Sequence, residues 1–171
     1  KIAAIQMVSG TQRDGNLRAA RNLLEQAAHS GAELAVLPEY FCLMGHKDTD
    51  KLACREPEGD GVIQRFLADT AQALQMWIVG GTLPIQTTTP DRVRNTTLVF
   101  DPTGACLARY DKIHLFRFDN GHEQYDEGRV IEAGNTPVQF DLHARDGQRW
   151  RVGLSVRVGR VRLRPFRRVR D

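Results

Sequence analysis

What the sequence lacks narrows its class quickly. No stretch of its 171 residues approaches the roughly 18 consecutive apolar side chains that a bilayer-crossing helix needs. The opening stretch, KIAAIQMVSG, has neither the basic start nor the long apolar middle of a secretory signal. It has no initiator methionine either, so a chain trimmed or processed at its front is expected. Cysteine is scarce: Cys42, Cys54 and Cys106 are odd in number and far apart. That spacing excludes a disulfide framework and a thiolate-rich metal site, and a reducing cytoplasm is the simplest home. Asn95-Thr96-Thr97 matches a glycosylation acceptor, but without a secretory signal the match is read as chance. There is no internal repeat and no linker-like segment.

Evenly spread charge is also missing. Residues 151–171 hold eight arginines against one aspartate, whereas residues 1–150 hold 16 lysines and arginines against 20 acidic residues. The net charge of +3 therefore combines an acidic body with a basic tail, and any nucleic-acid reading rests on the tail alone. The body has ordinary composition. With 41% hydrophobic and 26% charged residues, the chain suits one domain with a real core.

Apolar periodicity supplies the elements. IAAIQM (2–7) reads as a buried strand. In NLRAARNLLEQAAHSGA, Leu17, Ala20, Leu24, Ala27 and Ala28 recur at helical spacing, and Gly31 is the stop. AELAVLPEY is a second buried strand, ended by Pro38. Residues 61–75 predict another helix, with Ile63, Phe66, Leu67 and Leu74 on one side. MWIVGGTL is a third strand, with Trp77 in the core. RNTTLVFDPTGACLARYDKIHLF reads as a hairpin around an Asp-Pro-Thr-Gly turn. TPVQFDL and RWRVGLSV are two more strands, about a polar turn at Asp146-Gly147. EPEGDG (56–61) reads as a turn before the helix rather than a metal loop. Strands that first alternate with helices and then run in series predict an α/β layered fold.

Three of these strands end in polar residues. LAVLP ends at Glu39, LARYD at Lys112 and WRVGLSV at Arg157. In open α/β sheets, ligand-handling groups gather at the carboxyl ends of strands, so an acid, a lysine and a third group are candidates to converge. The competing reading makes Glu39 and Lys112 surface or ion-pair residues. His114 and His122 lie near an apolar run and are read as core or surface groups, not as catalytic ones.

AVLPEYF (35–41), YDKIHLF (110–116) and RVGLSV (151–156) resemble, in that order, the successive signatures of the nitrilase superfamily, the carbon–nitrogen hydrolases. KIAAIQM, AHSGAELAVLPE and NTTLVFDPTG are similar to that family as well, so the likeness runs from residue 1 to about 156. HLFRFDNG most resembles the amidase branch that hydrolyses ω-amides of small dicarboxylates and deaminated glutathione. The resemblance implies an α-β-β-α four-layer sandwich and a Glu-Lys-Cys triad. It implies no metal and no organic cofactor, and a small linear amide cut to carboxylate and ammonia. A homo-oligomer is implied for the complete family member. Glu39 matches the general base, and Lys112 the lysine beside the tetrahedral intermediate. Glu127, in YDEGRVIEAG, matches the second glutamate, which positions lysine and substrate; Glu123 and Asp126 are neighbouring carboxylates. The chemistry asks for these types: a thiolate as nucleophile, a carboxylate to make it, and a fixed ammonium for the oxyanion.

The pattern breaks after Val156. The resemblance implies a nucleophilic cysteine next, and the chain has Arg157, which stays protonated and cannot attack. Cys42 lies three residues past Glu39; it, Cys54 and Cys106 are read as structural or incidental thiols. The arginine-rich stretch 157–171 does not resemble the family, and a frame change in the gene is the expected cause. Another reading frame should then restore a cysteine at about position 157. The expectation is thus an inactive chain: the amino-terminal part of a carbon–nitrogen hydrolase domain (1–156), incomplete at its C-terminus, then an aberrant tail. Such a part would leave sheet edges unpaired and its oligomer interface compromised. Two alternatives remain: a nitrilase-like scaffold that binds partners without turnover, and a tail that binds nucleic acid. In the latter, the arginines at 157, 160, 162, 164, 167, 168 and 170 would contact phosphates, with Phe166 alone for stacking.

Overall fold

A computed structural model describes residues 1–156; Arg157 and the arginine-rich stretch to residue 171 lie outside the described residues. The first half of the chain contains β1 (Ile2–Ala4), α1 (Arg13–His29), β2 (Leu34–Val36), α2 (Asp50–Ala53), α3 (Val62–Leu74), β3 (Trp77–Val79) and β4 (Leu83–Gln86). Then come β5 (Val93–Phe100), β6 (Cys106–Asp111), β7 (Arg117–Asp119), β8 (Gln124–Asp126), a 3-10 turn at Glu127–Arg129, β9 (Gln139–His143) and β10 (Arg149–Gly153). Six strands form one mixed sheet in the order β1-β2-β3-β5-β4, with β6 on the other edge of β5. β1, β2 and β3 run parallel, and β5 is antiparallel to β3, β4 and β6.

Strand alternation explains the layering. On one face, Ala35, Leu37, Ile78, Leu98 and Phe100 meet Leu17 and Leu24 of α1 and Ile63 and Leu67 of α3. On the other face, Leu34, Trp77, Val79 and Val99 meet Phe140 and Leu142. Those two come from β9, which pairs antiparallel with β10. The Trp77 and Phe140 rings stack with centroids 5.8 Å apart. Because both faces are buried, these strands read as continuous apolar runs rather than as polar–apolar alternation. Helices, sheet and hairpin thus form three layers among the described residues.

The helices end where local chemistry ends them. α1 stops at His29, and Gly31 takes φ +80°, a left-handed conformation that glycine adopts freely. α3 begins in the EPEGDG turn, where the buried Glu56 carboxylate accepts the Ile63 N–H (2.6 Å) and the Gln64 N–H (3.1 Å). These are two of the N–H groups that a helix leaves unpaired at its start.

Several elements depart from the sequence reading. IAAIQM is not a buried strand: β1 is short, lies at the sheet edge and leaves Ile2 69% exposed. MWIVGGTL is not one strand: the chain turns at Gly80-Gly81, with Gly81 at φ +54°, and starts β4. The short α2 and the β7–β8 hairpin have no periodicity to announce them. Among the described residues, no helix is long and apolar enough to cross a membrane. No cluster of His, Cys, Asp and Glu there has the makings of a metal site.

Candidate active site

The residues after β2 form a tight turn that is bound on every side. Pro38 has no N–H to continue the ladder, so the strand stops there. The Leu37 N–H still reaches the Val79 carbonyl (3.0 Å). Tyr40 sits at φ +54°, an uncommon conformation for a residue with a side chain. Its N–H donates to Thr82 Oγ1 at 2.9 Å, and the Asn16 amide on α1 donates to the Cys42 carbonyl at 3.0 Å. Gly81 is needed beneath the turn, because a Cβ there would collide with the Pro38 carbonyl oxygen. The strain at Tyr40 is therefore held by its surroundings, and it lies next to the acid that the turn presents, Glu39.

Lys112 follows the last residue of β6, and its backbone is pinned from both sides. Its N–H donates to the Asn95 carbonyl (2.9 Å), and its carbonyl accepts the Gly134 N–H (2.9 Å). Gly134 packs so closely on Asp111 that a Cβ would strike the backbone. Glu127 opens the 3-10 turn after β8 and is clamped to Phe116. Its N–H donates to the Phe116 carbonyl (3.0 Å), and its Oε2 accepts the Phe116 N–H (2.7 Å). Glu123 is exposed. Asp126 caps the turn through the Gly128 N–H (2.8 Å) and pairs with Arg117 (3.0 Å), so neither neighbour reaches the lysine.

These three side chains meet. The Lys112 ammonium, 0% exposed, lies 2.9 Å from Glu39 Oε1 and 2.9 Å from Glu127 Oε2. Burial works against the charge of Lys112, but its hydrogen bonds to Glu39 and Glu127 outweigh that and hold the ammonium above the ordinary lysine range. One cation between two carboxylates leaves a net negative cluster. Glu127 is buried, whereas the Glu39 side chain is 28% exposed. Glu39 lines a cavity of about 220 Å³ together with Thr82, Thr97 and the Leu154–Val156 segment that follows β10. Position 157, beyond Val156, lies outside the described residues.

The described thiols do not join this cluster. Cys42 is fully buried among the core side chains under α1 and α3, and burial pushes its thiol far up. Burial also raises the thiols of Cys54 and Cys106. His114 and His122 are exposed. Two polar residues of the site escape sequence reading: Asn95, whose Nδ2 donates to Glu39 Oε1 at 2.7 Å, and Thr82. The one available signal was polarity in a strand buried at every position but one, because a buried polar side chain needs a partner. Asn95 is 1% exposed, so it is no glycan acceptor in this fold.

Comparison with known proteins gives this cluster its setting. The family model described as carbon-nitrogen hydrolase matches residues 1–156. The chain belongs to the carbon–nitrogen hydrolase family. Curated relatives of the chain include a deaminated glutathione amidase from Synechocystis, 33% identical over 141 residues, covering 81% of the chain and 51% of that protein. A human omega-amidase is 30% identical over 158 residues, covering 91% of the chain and 54% of that protein. Among solved structures, a carbon–nitrogen-hydrolase superfamily protein from Xanthomonas campestris matches with TM-score 0.65 and 29% identity, over 86% of the chain and 50% of its own. Saccharomyces cerevisiae Nit3 has the same fold, with TM-score 0.68 and 24% identity over 82% of the chain and 50% of its own. The chain spans about half the length of the curated relatives it matches.

Proposed function

We propose that residues 1–156 are the amino-terminal part of an amidase domain that binds small linear amides at the Glu39–Lys112–Glu127 cluster. In this reading these residues are part of an α-β-β-α four-layer sandwich, incomplete at its C-terminus, and the arginine-rich stretch 157–171 is an aberrant tail. The observation that carries the reading is the direct contact of a fully buried ammonium with two carboxylates, one of which lines a cavity together with Leu154–Val156.

The chemistry follows from that arrangement. A thiol just past Val156 gives its proton to Glu39, and the thiolate adds to the amide carbonyl carbon. The oxygen that becomes negative takes its stabilisation from the Lys112 ammonium, which costs no reorganisation because it is already held. The intermediate collapses, ammonia leaves with the proton returned by Glu39, and a thioester remains. Glu39 then takes a proton from water, the hydroxide adds to the thioester, and carboxylate and thiol are released. Glu127 keeps the ammonium in place. No step in this sequence calls for a metal or an organic cofactor.

This chain carries Arg157 where the thiol is required. Arginine stays protonated and supplies no nucleophile, so we expect no turnover. An ammonia-release assay with monoamides of small dicarboxylic acids is expected to show no enzyme-dependent signal. Release of ammonia by the natural chain would refute the assignment of position 157 as the nucleophile position.

A further inference from the structure

The carboxylate of Glu39 is held unevenly. Its Oε1 receives two hydrogen bonds, from Lys112 Nζ at 2.9 Å and from Asn95 Nδ2 at 2.7 Å. Among the described residues, none places a donor on its Oε2. Asn95 also accepts the Lys112 backbone N–H through its own carbonyl (2.9 Å), so one residue of β5 contacts both charged partners. The register explains how: Thr96 pairs with Asp111 across β5 and β6, which brings Asn95 beside Lys112. The Asn95 side chain is buried, and its Oδ1 has no hydrogen-bond partner. A buried amide that satisfies only one end is unfavourable for the sheet, where an apolar side chain would pack without that cost. What offsets that cost is the hydrogen bond that the satisfied end makes to Glu39.

We propose that Asn95 is a positioning residue: it clamps Oε1 of Glu39, with Lys112, so that Oε2 is the oxygen that exchanges protons with the group beyond Val156. The inference rests on the reading of Glu39 as the base. Two donors on a single oxygen fix the carboxylate plane and the distance between base and ammonium. Lysine alone does not do this, because a point-like ammonium donates equally well to either oxygen. Asparagine suits the position because it donates without adding charge. Aspartate, of the same shape, would set a second carboxylate against the first.

The test uses the full chain carrying Arg157→Cys, with alkylation by iodoacetamide at position 157 followed by peptide mass spectrometry across pH. Cys42, fully buried, reports folding in the same experiment by staying unreacted. Glu39→Gln and Asn95→Leu are each expected to slow alkylation at neutral pH by about tenfold. Asn95→Asp is expected to move the rise of rate with pH upward, because two adjacent carboxylates share a proton. If Glu39→Gln slows the reaction and neither Asn95 variant changes rate or profile, the inference is overturned while the base reading stands. Indifference to Glu39→Gln overturns both. Loss of Cys42 protection in both Asn95 variants assigns Asn95 to folding alone and also overturns it.

Discussion

Lys112 decides the character of the site, because a fully buried ammonium survives only where its partners are fixed. Removing it leaves Glu127 buried beside Glu39 with no cation between them. Lys112→Met is therefore expected to destabilise the fold by about 3–5 kcal/mol, read from urea unfolding. The same side chain sets an alkaline limit. Its proton is held more tightly in the folded state than in an unfolded chain, where lysine titrates near about 10.4. Its contribution is therefore full below that value and fades as pH climbs through the higher folded one. Urea midpoints measured from about pH 8 to 11 should stay level and then fall in the natural chain. In Lys112→Met they should lose that late fall. A fall of equal size in both would show that other groups set the alkaline limit.

At the scale of elements, the site depends on how closely the β2 turn sits on the β3–β4 turn. Gly81 and Gly59 both have positive φ, +54° and +79°. A Cβ at Gly59 meets nothing within 4 Å, whereas one at Gly81 strikes the Pro38 carbonyl. Gly59→Ala is expected to cost only the conformational penalty of about 1–2 kcal/mol. Gly81→Ala should cost more, since the turn carrying Glu39 must move as well, and equal costs would contradict the contact. Much of this was legible in the sequence. Glu39 and Lys112 were candidates because strands end at them, the family resemblance set them above a surface or ion-pair reading, and the pattern of burial on α1 follows its periodicity. Glu127 came into view only through family resemblance, because it sits in a 3-10 turn with no repeat to mark it. Asn95 was hidden, because its partner lies 56 positions away and β5 reads as one continuous run. α2 and the β7–β8 strands, of three or four residues each, are too short for any period to show.

For the whole molecule, the described layers already form a packed core on both faces of the sheet, so the cluster is held before any residue beyond Val156 is considered. The proposed function takes its class of reaction from the carbon–nitrogen hydrolase family and assigns three of its parts to Glu39, Lys112 and Glu127, which the geometry brings together. The proposed reaction also needs a thiol, and one can be put in directly at position 157. Arg157→Cys should be incubated with a monoamide of a small dicarboxylic acid and its intact mass recorded, with Glu39→Gln in the same background alongside. The account predicts a mass gain equal to the amide less ammonia, confined to the introduced thiol and absent when Glu39 is changed. A folded protein, with Cys42 still protected, that neither forms the adduct nor releases ammonia would contradict it.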